Sequence, residues 1–166
     1  MDAGAIVSED GRYRYRLWRA WGTGPRLGWL MLNPSTADGR VDDPTIRKCV
    51  GFARRNGFDG IEVSNLFALR STDPTSILLA DYDDAVGPEN DEAIALMLER
   101  VPLIVLGWGT FEKFSPVGRR RREVLAKLET AAAGKLRCIG RRVGDRAAAP
   151  RHPVMAAYQP LEAWTR

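Results

Sequence analysis

The apolar residues of this chain recur in two patterns, short continuous runs and longer stretches with helical spacing. The short runs predict strands at residues 27 to 32, 60 to 67, 103 to 107 and 135 to 139. The helical spacing predicts helices at residues 44 to 57, 89 to 100 and 115 to 133. Strands that alternate with helices are typical of α/β folds. We therefore expect a mainly parallel central sheet of about four to five strands.

Residues 12 to 21 alternate arginine with aromatic or aliphatic side chains. A strand at this position is expected to bury Tyr13, Tyr15 and Leu17 and to expose the arginines, as an edge strand does. The turn at residues 22 to 25 leads directly into the run 27 to 32. We predict that these two strands pair as a hairpin.

The helix that starts at Pro44 has the clearest end signals. Asp43 can cap its first turn, Pro44 suits the first helical position, and Gly57 can end it. The strand 60 to 67 follows, so a right-handed crossover should leave it parallel to the strand 27 to 32. Asn65 then lies near the carboxyl end of its strand.

The composition indicates one globular domain, residues 1 to 166, because 45% of the residues are hydrophobic and 28% are charged. Cys49 and Cys138 have no metal-ligand or redox spacing, which favours a reducing cytoplasm. The sequence has no apolar segment of membrane-spanning length, so no membrane partner is expected. The single histidine, His152, excludes a site with several histidine ligands, and we expect neither a metal nor another cofactor.

Polar residues follow the predicted strands, and in a parallel sheet these loops emerge at one edge. Asn33, Asp38, Asn65 and His152 are therefore expected to converge on one crevice. Asn33 can hold a water molecule or a substrate edge, or it can simply form a turn. Asp38 is the carboxylate that could activate water or bind a hard cation, whereas Asp43 is interpreted as a helix cap.

Two roles are open for each of Asn65 and His152. Asn65 could read the edge of a nucleobase, or its side chain could fasten neighbouring loops. His152 could donate a hydrogen bond or a proton to a departing anion, or it could be a surface residue with no role.

Arginines cluster at residues 119 to 122 and in the loop 141 to 153. Such a cluster is either a solvated face or a set of phosphate contacts. The net charge of +4 and a pI near 9.4 are compatible with a polyanionic partner. The turn at Gly107-Trp108-Gly109-Thr110 lacks the Lys-Ser/Thr ending of a phosphate loop, which argues against a nucleoside triphosphatase.

Several motifs together resemble the DUF1643 family, whose proteins have no assigned function. They are Leu32-Asn33-Pro34-Ser35-Thr36-Ala37-Asp38, Asp43-Pro44-Thr45-Ile46, Ser64-Asn65-Leu66-Phe67-Ala68-Leu69-Arg70, Gly87-Pro88-Glu89-Asn90-Asp91 and Arg151-His152-Pro153. The resemblance covers about residues 12 to 160. It implies no particular activity.

The order of these parts is also similar to that of the uracil-DNA glycosylase superfamily, especially its small mismatch-specific branch. There a first strand ends in a Gly-x-Asn-Pro-Gly-like motif, a later strand in a base-reading Asn and another in Leu-Gly, and a His-Pro motif follows the last strand. The matching positions here are Met31-Leu32-Asn33-Pro34-Ser35, Asn65, Leu106-Gly107 and His152-Pro153. Ser35 replaces the last glycine of the first motif, and Val154-Met155-Ala156 stands where that superfamily has a Ser-Pro-Leu-Ser tail.

This second resemblance implies a three-layer sandwich that hydrolyses the N-glycosidic bond of a damaged or modified base, without a cofactor, in DNA repair. Asn33 would position water with help from Asp38, and His152 would stabilise the departing base. The residues expected around the base are Pro34, Ser35, Asn65, Phe67 and Trp108. The residues expected on phosphates are Arg119, Arg120, Arg142 and Arg151. Two alternatives stay open, a non-catalytic nucleic-acid-binding module, with DNA favoured over RNA, and a hydrolase of free modified nucleosides or nucleotides.

Overall fold

A computed structural model describes residues 1 to 140 and 149 to 165. Its strands are β1 (Asp2–Val7), β2 (Arg14–Ala20), β3 (Arg26–Met31), β4 (Gly60–Asn65), β5 (Leu103–Leu106), β6 (Leu136–Ile139) and β7 (Leu161–Ala163). Its α-helices are α1 (Pro44–Arg55), α2 (Thr75–Leu79), α3 (Tyr82–Val86), α4 (Asn90–Arg100) and α5 (Ser115–Ala132). Short 3₁₀ turns occur at Gly109–Lys113, Ala133–Lys135 and Pro153–Met155. None of the helices in the described residues is long and apolar enough to cross a membrane.

The strands form one mixed sheet in the order β1-β2-β4-β3-β5-β6-β7. The four strands β4, β3, β5 and β6 are parallel, as predicted, but β1, β2 and β7 pair antiparallel. The predicted sheet of four to five strands therefore had too few strands, and it was expected to be more parallel than it is. The strand β7 has three residues, and β1 begins with an aspartate and three small residues, so both carry little hydrophobic signal and the sequence pattern missed them.

The predicted hairpin between β2 and β3 is wrong. Both sides of β3 are occupied by parallel neighbours, β4 and β5, so β2 pairs with the far side of β4. With β1 on its other side, β2 is an internal strand rather than an edge strand. The parallel pairing of β3 with β4 across the helix α1 is confirmed.

Helices cover both faces of the sheet because alternate strand residues belong to two apolar clusters. Trp29 and Met31 pack with the α1 residues Ile46 and Phe52. Leu30, between them in the chain, belongs to the other cluster. That second cluster includes Ile94 and Met97 of α4 and Val124 and Leu128 of α5.

A bulge in β2 interrupts the predicted alternation. Ile6 pairs with Arg16 and Val7 pairs with Arg14, so Tyr15 has no partner on β1. A bulge of one residue shifts the following side chain to the opposite face of the sheet. Tyr13, Tyr15 and Leu17 are buried as predicted, but Arg14 and Arg19 are each only 3% exposed. The prediction that these two arginines face solvent is wrong.

The loop after β4 is fastened by two buried polar side chains. Asn90, at the start of α4, donates through Nδ2 to the carbonyl oxygens of Asn65 and Leu66, at 2.9 and 3.0 Å. Arg120 of α5 donates through Nε to the same Leu66 oxygen at 2.7 Å. Its Nη2 lies 2.6 Å from Asp91 Oδ1. Arg120 therefore joins α5, α4 and the end of β4.

We expect Arg120→Met to lower the free energy of unfolding by about 1.5–3 kcal/mol, the range for a hydrogen bond from a charged donor. Arg119→Met is the matched control, because Arg119 is exposed and solvent screens its ion pair with Glu123, so this substitution should destabilise the protein much less. Urea unfolding of both variants measures the difference. Equal destabilisation by the two substitutions would contradict the anchoring role of Arg120.

Candidate functional site

A cavity of about 370 Å³ opens beside the carboxyl ends of β3 and β5. Its size lies within the range of small-molecule sites. The loops after β3 and β5, the start of α1, the segment before α2 and the turn at Pro153–Met155 all contribute to its walls. The polar residues in its lining are Arg14, Asn33, Ser35, Asp43, Thr45, Ser71, Thr72, Thr110 and His152, and the apolar ones include Met31, Ile46, Trp108, Phe111, Val154 and Met155.

The strand end at Gly107 brings the histidine segment to this edge of the sheet. Gly107 donates its backbone N–H to Leu30 O at 2.8 Å, and Gly109 donates to Pro150 O at 2.9 Å. A Cβ atom at Gly107 would lie only 3.3 Å from the ring of Pro153. The Leu-Gly strand end and the His-Pro motif are therefore in close contact.

Asn33 is held by the loop and still presents a free acceptor. Its Nδ2 donates to Pro34 O and Ser71 O, both at 3.1 Å. Ser71 N donates in turn to Pro34 O at 2.9 Å, which closes the loop on itself. Within residues 1 to 140 and 149 to 165, no donor reaches Asn33 Oδ1. Asn33 thus stabilises its turn and also offers an oxygen to the contents of the cavity.

His152 is fixed as a neutral hydrogen-bond donor. Its Nδ1 accepts the backbone N–H of Val154 at 3.3 Å, so the neutral ring carries its proton on Nε2. Burial lowers the pKa of His152, and the negative charge of Asp43 opposes that shift in part. A neutral imidazole can donate from Nε2 to an oxygen or nitrogen that gains negative charge.

Asp43 caps α1 and also lines the cavity. Its Oδ1 accepts from Ile46 N at 2.8 Å, which confirms the predicted cap. Its other oxygen accepts no hydrogen bond from the described part of the chain, and Asp43 is the one carboxylate in the cavity wall there. The interpretation of Asp43 as only a cap was therefore incomplete.

Arg14 is the charged lining residue that the sequence analysis did not place in the site, because it was expected to face solvent. The bulge in β2 sends its side chain to the α1 side of the sheet, where Nη1 donates to Ala37 O at 2.7 Å. Burial lowers the pKa of Arg14 to about 10, so the guanidinium stays charged at neutral pH. The regular alternation of residues 12 to 21 concealed this residue, because a bulge leaves no mark in the hydrophobic pattern.

Asn65 lies beneath the site rather than in its wall. It pairs in register with Met31, a lining residue, and is 1% exposed. Both polar atoms of its side chain are buried without a hydrogen-bond partner in the described chain, as is Nε of Arg14. Buried polar atoms are nearly always satisfied by protein, water or ligand. These atoms therefore mark a polar pocket floor that water or a ligand can complete.

The four other residues predicted to surround a base are Pro34, Ser35, Phe67 and Trp108, and two of them line the cavity. Ser35 and Trp108 line it, and Trp108 Nε1 donates to Glu112 Oε2 at 2.7 Å. Pro34 is buried outside the lining. Phe67 is buried in the core, edge-on to Tyr82, and is absent from the cavity lining. The expectation that Phe67 contacts a base is corrected by its position.

Asp38 does not converge with Asn33 and His152. It is absent from the lining, and its Oδ1 accepts from the backbone N–H groups of Arg40 and Val41 at 2.8 and 2.9 Å. These two hydrogen bonds lower the pKa of Asp38. Asp38 therefore stabilises a surface turn, and Asp43 takes its place as the carboxylate of the site.

The arginines of α5 are largely engaged within the protein. Arg119 contacts Glu123 at 2.9 Å and lies 3.7 Å from the ring centre of Tyr82. Arg120 is buried, so the prediction that it holds phosphates is wrong. Arg121 lies 3.1 Å from Glu112. Arg151 is exposed, and Arg142 lies outside the described residues.

In the described parts of the chain, no group of three or more histidine, cysteine, aspartate or glutamate residues could hold a metal ion. The arrangement is instead a neutral donor, a carboxylate, a free amide oxygen and a buried guanidinium around one cavity. Such groups can orient water, accept its proton and stabilise a departing anion.

The pKa of His152 can be tested directly, because the chain contains one histidine. In a ¹H NMR titration of untagged protein, we expect the imidazole signal to titrate below the ordinary value of 6.5. The unfolded chain then binds the proton more readily than the folded one. The stability that neutral His152 contributes to the free energy of unfolding should thus be lost as the pH falls below about 6.5 and be fully present above that pH.

His152→Gln should abolish that part of the pH dependence of unfolding. A titration midpoint at or above 6.5 in the wild-type protein would contradict the buried, neutral state of His152.

No curated protein and no solved structure matches the chain significantly. The profile of DUF1643, described as a protein of unknown function, matches residues 14–154. That range includes Arg14, Asn33, Asp43 and His152. The chain therefore belongs to the DUF1643 family.

Proposed function

We propose that the protein hydrolyses the N-glycosidic bond of a modified nucleoside or nucleotide bound in the cavity. The observation that carries the proposal is that three polar residues, Asn33, Asp43 and His152, line one cavity. Each side chain is oriented by a hydrogen bond between one of its atoms and the backbone. Groups that are held in place before the substrate arrives lose little entropy in the reaction.

The reaction assigns one role to each group. Asn33 Oδ1 accepts a hydrogen bond from a water molecule, and Asp43 takes a proton from that water as its oxygen attacks the anomeric carbon. The bond between that carbon and the base nitrogen breaks, and its electron pair leaves with the base. His152 donates a hydrogen bond from Nε2 to the departing base anion. The proton held by Asp43 then passes through solvent to the base anion, so the products are the neutral free base and a sugar with a hydroxyl group at the anomeric carbon.

The order of the chain supports this proposal. Asn33 follows β3, Asn65 ends β4, Leu106-Gly107 ends β5, and His152-Pro153 follows β6, which is the order in which the glycosylase superfamily places its motifs. Parallel pairing of these strands directs the residues to one edge of the sheet. A glycosylase-like three-layer fold is part of the same proposal.

A nucleic-acid substrate is the second candidate, and one observation favours it. Val154 and Met155 border the cavity, and Met155 is 88% exposed, so an apolar side chain stands free at the opening. Such a side chain could occupy the space of a base that leaves the duplex. Binding to DNA without release of base would instead indicate a non-catalytic nucleic-acid-binding module.

We expect the purified protein to release free base from a panel of modified nucleosides, nucleotides and single- or double-stranded oligonucleotides, measured by liquid chromatography. His152→Ala should slow release by about 10- to 100-fold, because a charge-assisted hydrogen bond contributes about 1.5–3 kcal/mol. Asn33→Ala should slow it by a similar factor.

Asp43→Ser separates the two roles of Asp43. Serine is an equally good helix cap, so the free energy of unfolding should stay within about 0.5 kcal/mol while base release falls by at least about 100-fold. Asp38→Asn is the control, because Asp38 lies outside the cavity lining. The assignment fails if Asn33→Ala and His152→Ala both retain wild-type rates, or if Asp38→Asn is as slow as Asp43→Ser.

A further inference from the structure

We propose that Arg14 is an anion-binding residue of the cavity and that it binds the terminal phosphate of a mononucleotide. The nucleotide part of this ligand rests on the proposed function. The anion part rests on the surroundings of Arg14 itself.

Arg14 is buried without a counterion. It is 3% exposed and has no ion pair with any carboxylate in residues 1 to 140 and 149 to 165. One of its nitrogens, Nη1, is satisfied by Ala37 O, whereas Nε is buried and has no acceptor in the described chain. A buried arginine almost always has a carboxylate or phosphate partner. The missing partner of Arg14 is therefore expected to be a ligand, because the side chain lines a cavity.

A second guanidinium group near Arg14 also has an unsatisfied nitrogen. Arg19 and Arg70 lie close enough to lower the pKa of Arg14 by repulsion, and Asp43 acts in the opposite direction. Arg19 is paired with Asp42 at 2.8 Å. Arg70 donates to Gly11 O, and its Nε is buried without an acceptor in the described residues. Arg14 and Arg70 thus each have a buried Nε without an acceptor in the described residues, and the nearest carboxylates that act on them, Asp43 and Asp38, form no ion pair with either.

The fold places Arg14 there through an irregularity. Without the bulge at Tyr15, residue 14 would share a face with Arg16, which pairs with Glu62. The bulge turns Arg14 away from Glu62 and toward the cavity. Bulges near active sites often redirect a side chain in this way. A guanidinium presents a fork of N–H groups that matches two oxygens of a phosphate.

The position of this charge favours a mononucleotide over a nucleic acid. In a polymer the phosphates run along the strand outside a base pocket, and they are met by exposed basic side chains. Here Arg119, Arg120 and Arg121 of α5 are paired with carboxylates and Arg122 is exposed, while the unpaired guanidinium of Arg14 lies in the cavity wall. A terminal phosphate enters with its nucleotide, and it carries more charge than a backbone phosphate.

Isothermal titration calorimetry of the wild-type protein tests this directly. The probes are inorganic phosphate, acetate, a set of nucleosides, their 5′-monophosphates and a single-stranded oligonucleotide. We expect phosphate to bind, and the monophosphates to bind at least about 10-fold more tightly than the matching nucleosides. Phosphate should compete with the monophosphates. Equal affinity for nucleosides and monophosphates, tighter binding of acetate than phosphate, or preference for the oligonucleotide would each overturn the proposal.

Arg14→Met should reduce monophosphate affinity by about 10- to 100-fold and leave nucleoside affinity unchanged. Arg14→Lys keeps the charge without the fork and should bind with intermediate affinity. Arg119→Met, which removes an arginine outside the cavity, should bind as the wild type does. Unchanged monophosphate binding by a folded Arg14→Met variant would contradict the proposal. If that variant does not fold, the proposal is tested by the affinities of the wild-type protein for nucleosides and for their monophosphates.

The outcomes also separate this inference from the proposed function. Phosphate binding that depends on Arg14, without any release of base, supports the anion site and rejects the hydrolase. Release of base at equal rates from nucleosides and monophosphates supports the hydrolase and rejects the anion site.

Discussion

The parallel pairing of β3 with β4 on one side and β5 on the other is the constraint on which the site depends. Met31 lies beside Asn65, and Leu30 lies beside Leu106. This register brings the loop with Asn33 and the turn at Gly107 to the same edge of the sheet. The His-Pro segment then packs on Gly107, where a Cβ atom would already crowd Pro153. A shift of β3 by one residue would reverse every side chain on it and separate these loops.

Buried and half-buried arginines perform three different structural tasks in this fold. Arg120 fastens the loop after β4, and the half-buried Arg16 compensates the buried Glu62 on the internal strand β4. Arg19 links β2 to Asp42 and to the carbonyl oxygen of Asp38. Each of these has an acceptor or a counterion within the protein. Arg14 differs because its charge is not neutralised by a direct partner in the described chain, and that difference distinguishes a ligand site from structural ion pairing.

The sequence could predict those features that depend on local pattern. The cap at Asp43, the start of α1 at Pro44, the start of β4 at Gly60 and the strand β5 all follow from short-range signals. It could not predict that β4 inserts between β2 and β3, because pairing partners are chosen by the whole sheet. The bulge at Tyr15 was hidden for a related reason, since it is visible only in the register with β1.

The same distinction applies to the site. Asn33 and His152 were found because both follow strand ends, and parallel strands direct such residues to one edge. Asp38 was preferred over Asp43 because a cap was taken to exclude a second role. The structure shows that one carboxylate oxygen can cap a helix while the residue still lines a cavity. Phe67 was misplaced because its position after β4 does not reveal which face its ring takes.

The most direct test is a crystal structure of the Asp43→Asn variant in complex with a nucleoside 5′-monophosphate. This variant keeps the helix cap and removes the carboxylate charge. We expect the nucleotide to occupy the cavity, with its phosphate on the Arg14 guanidinium and its base within hydrogen-bond distance of His152 Nε2. A nucleotide bound elsewhere on the protein, or bound in the cavity with its phosphate away from Arg14, would contradict this expectation.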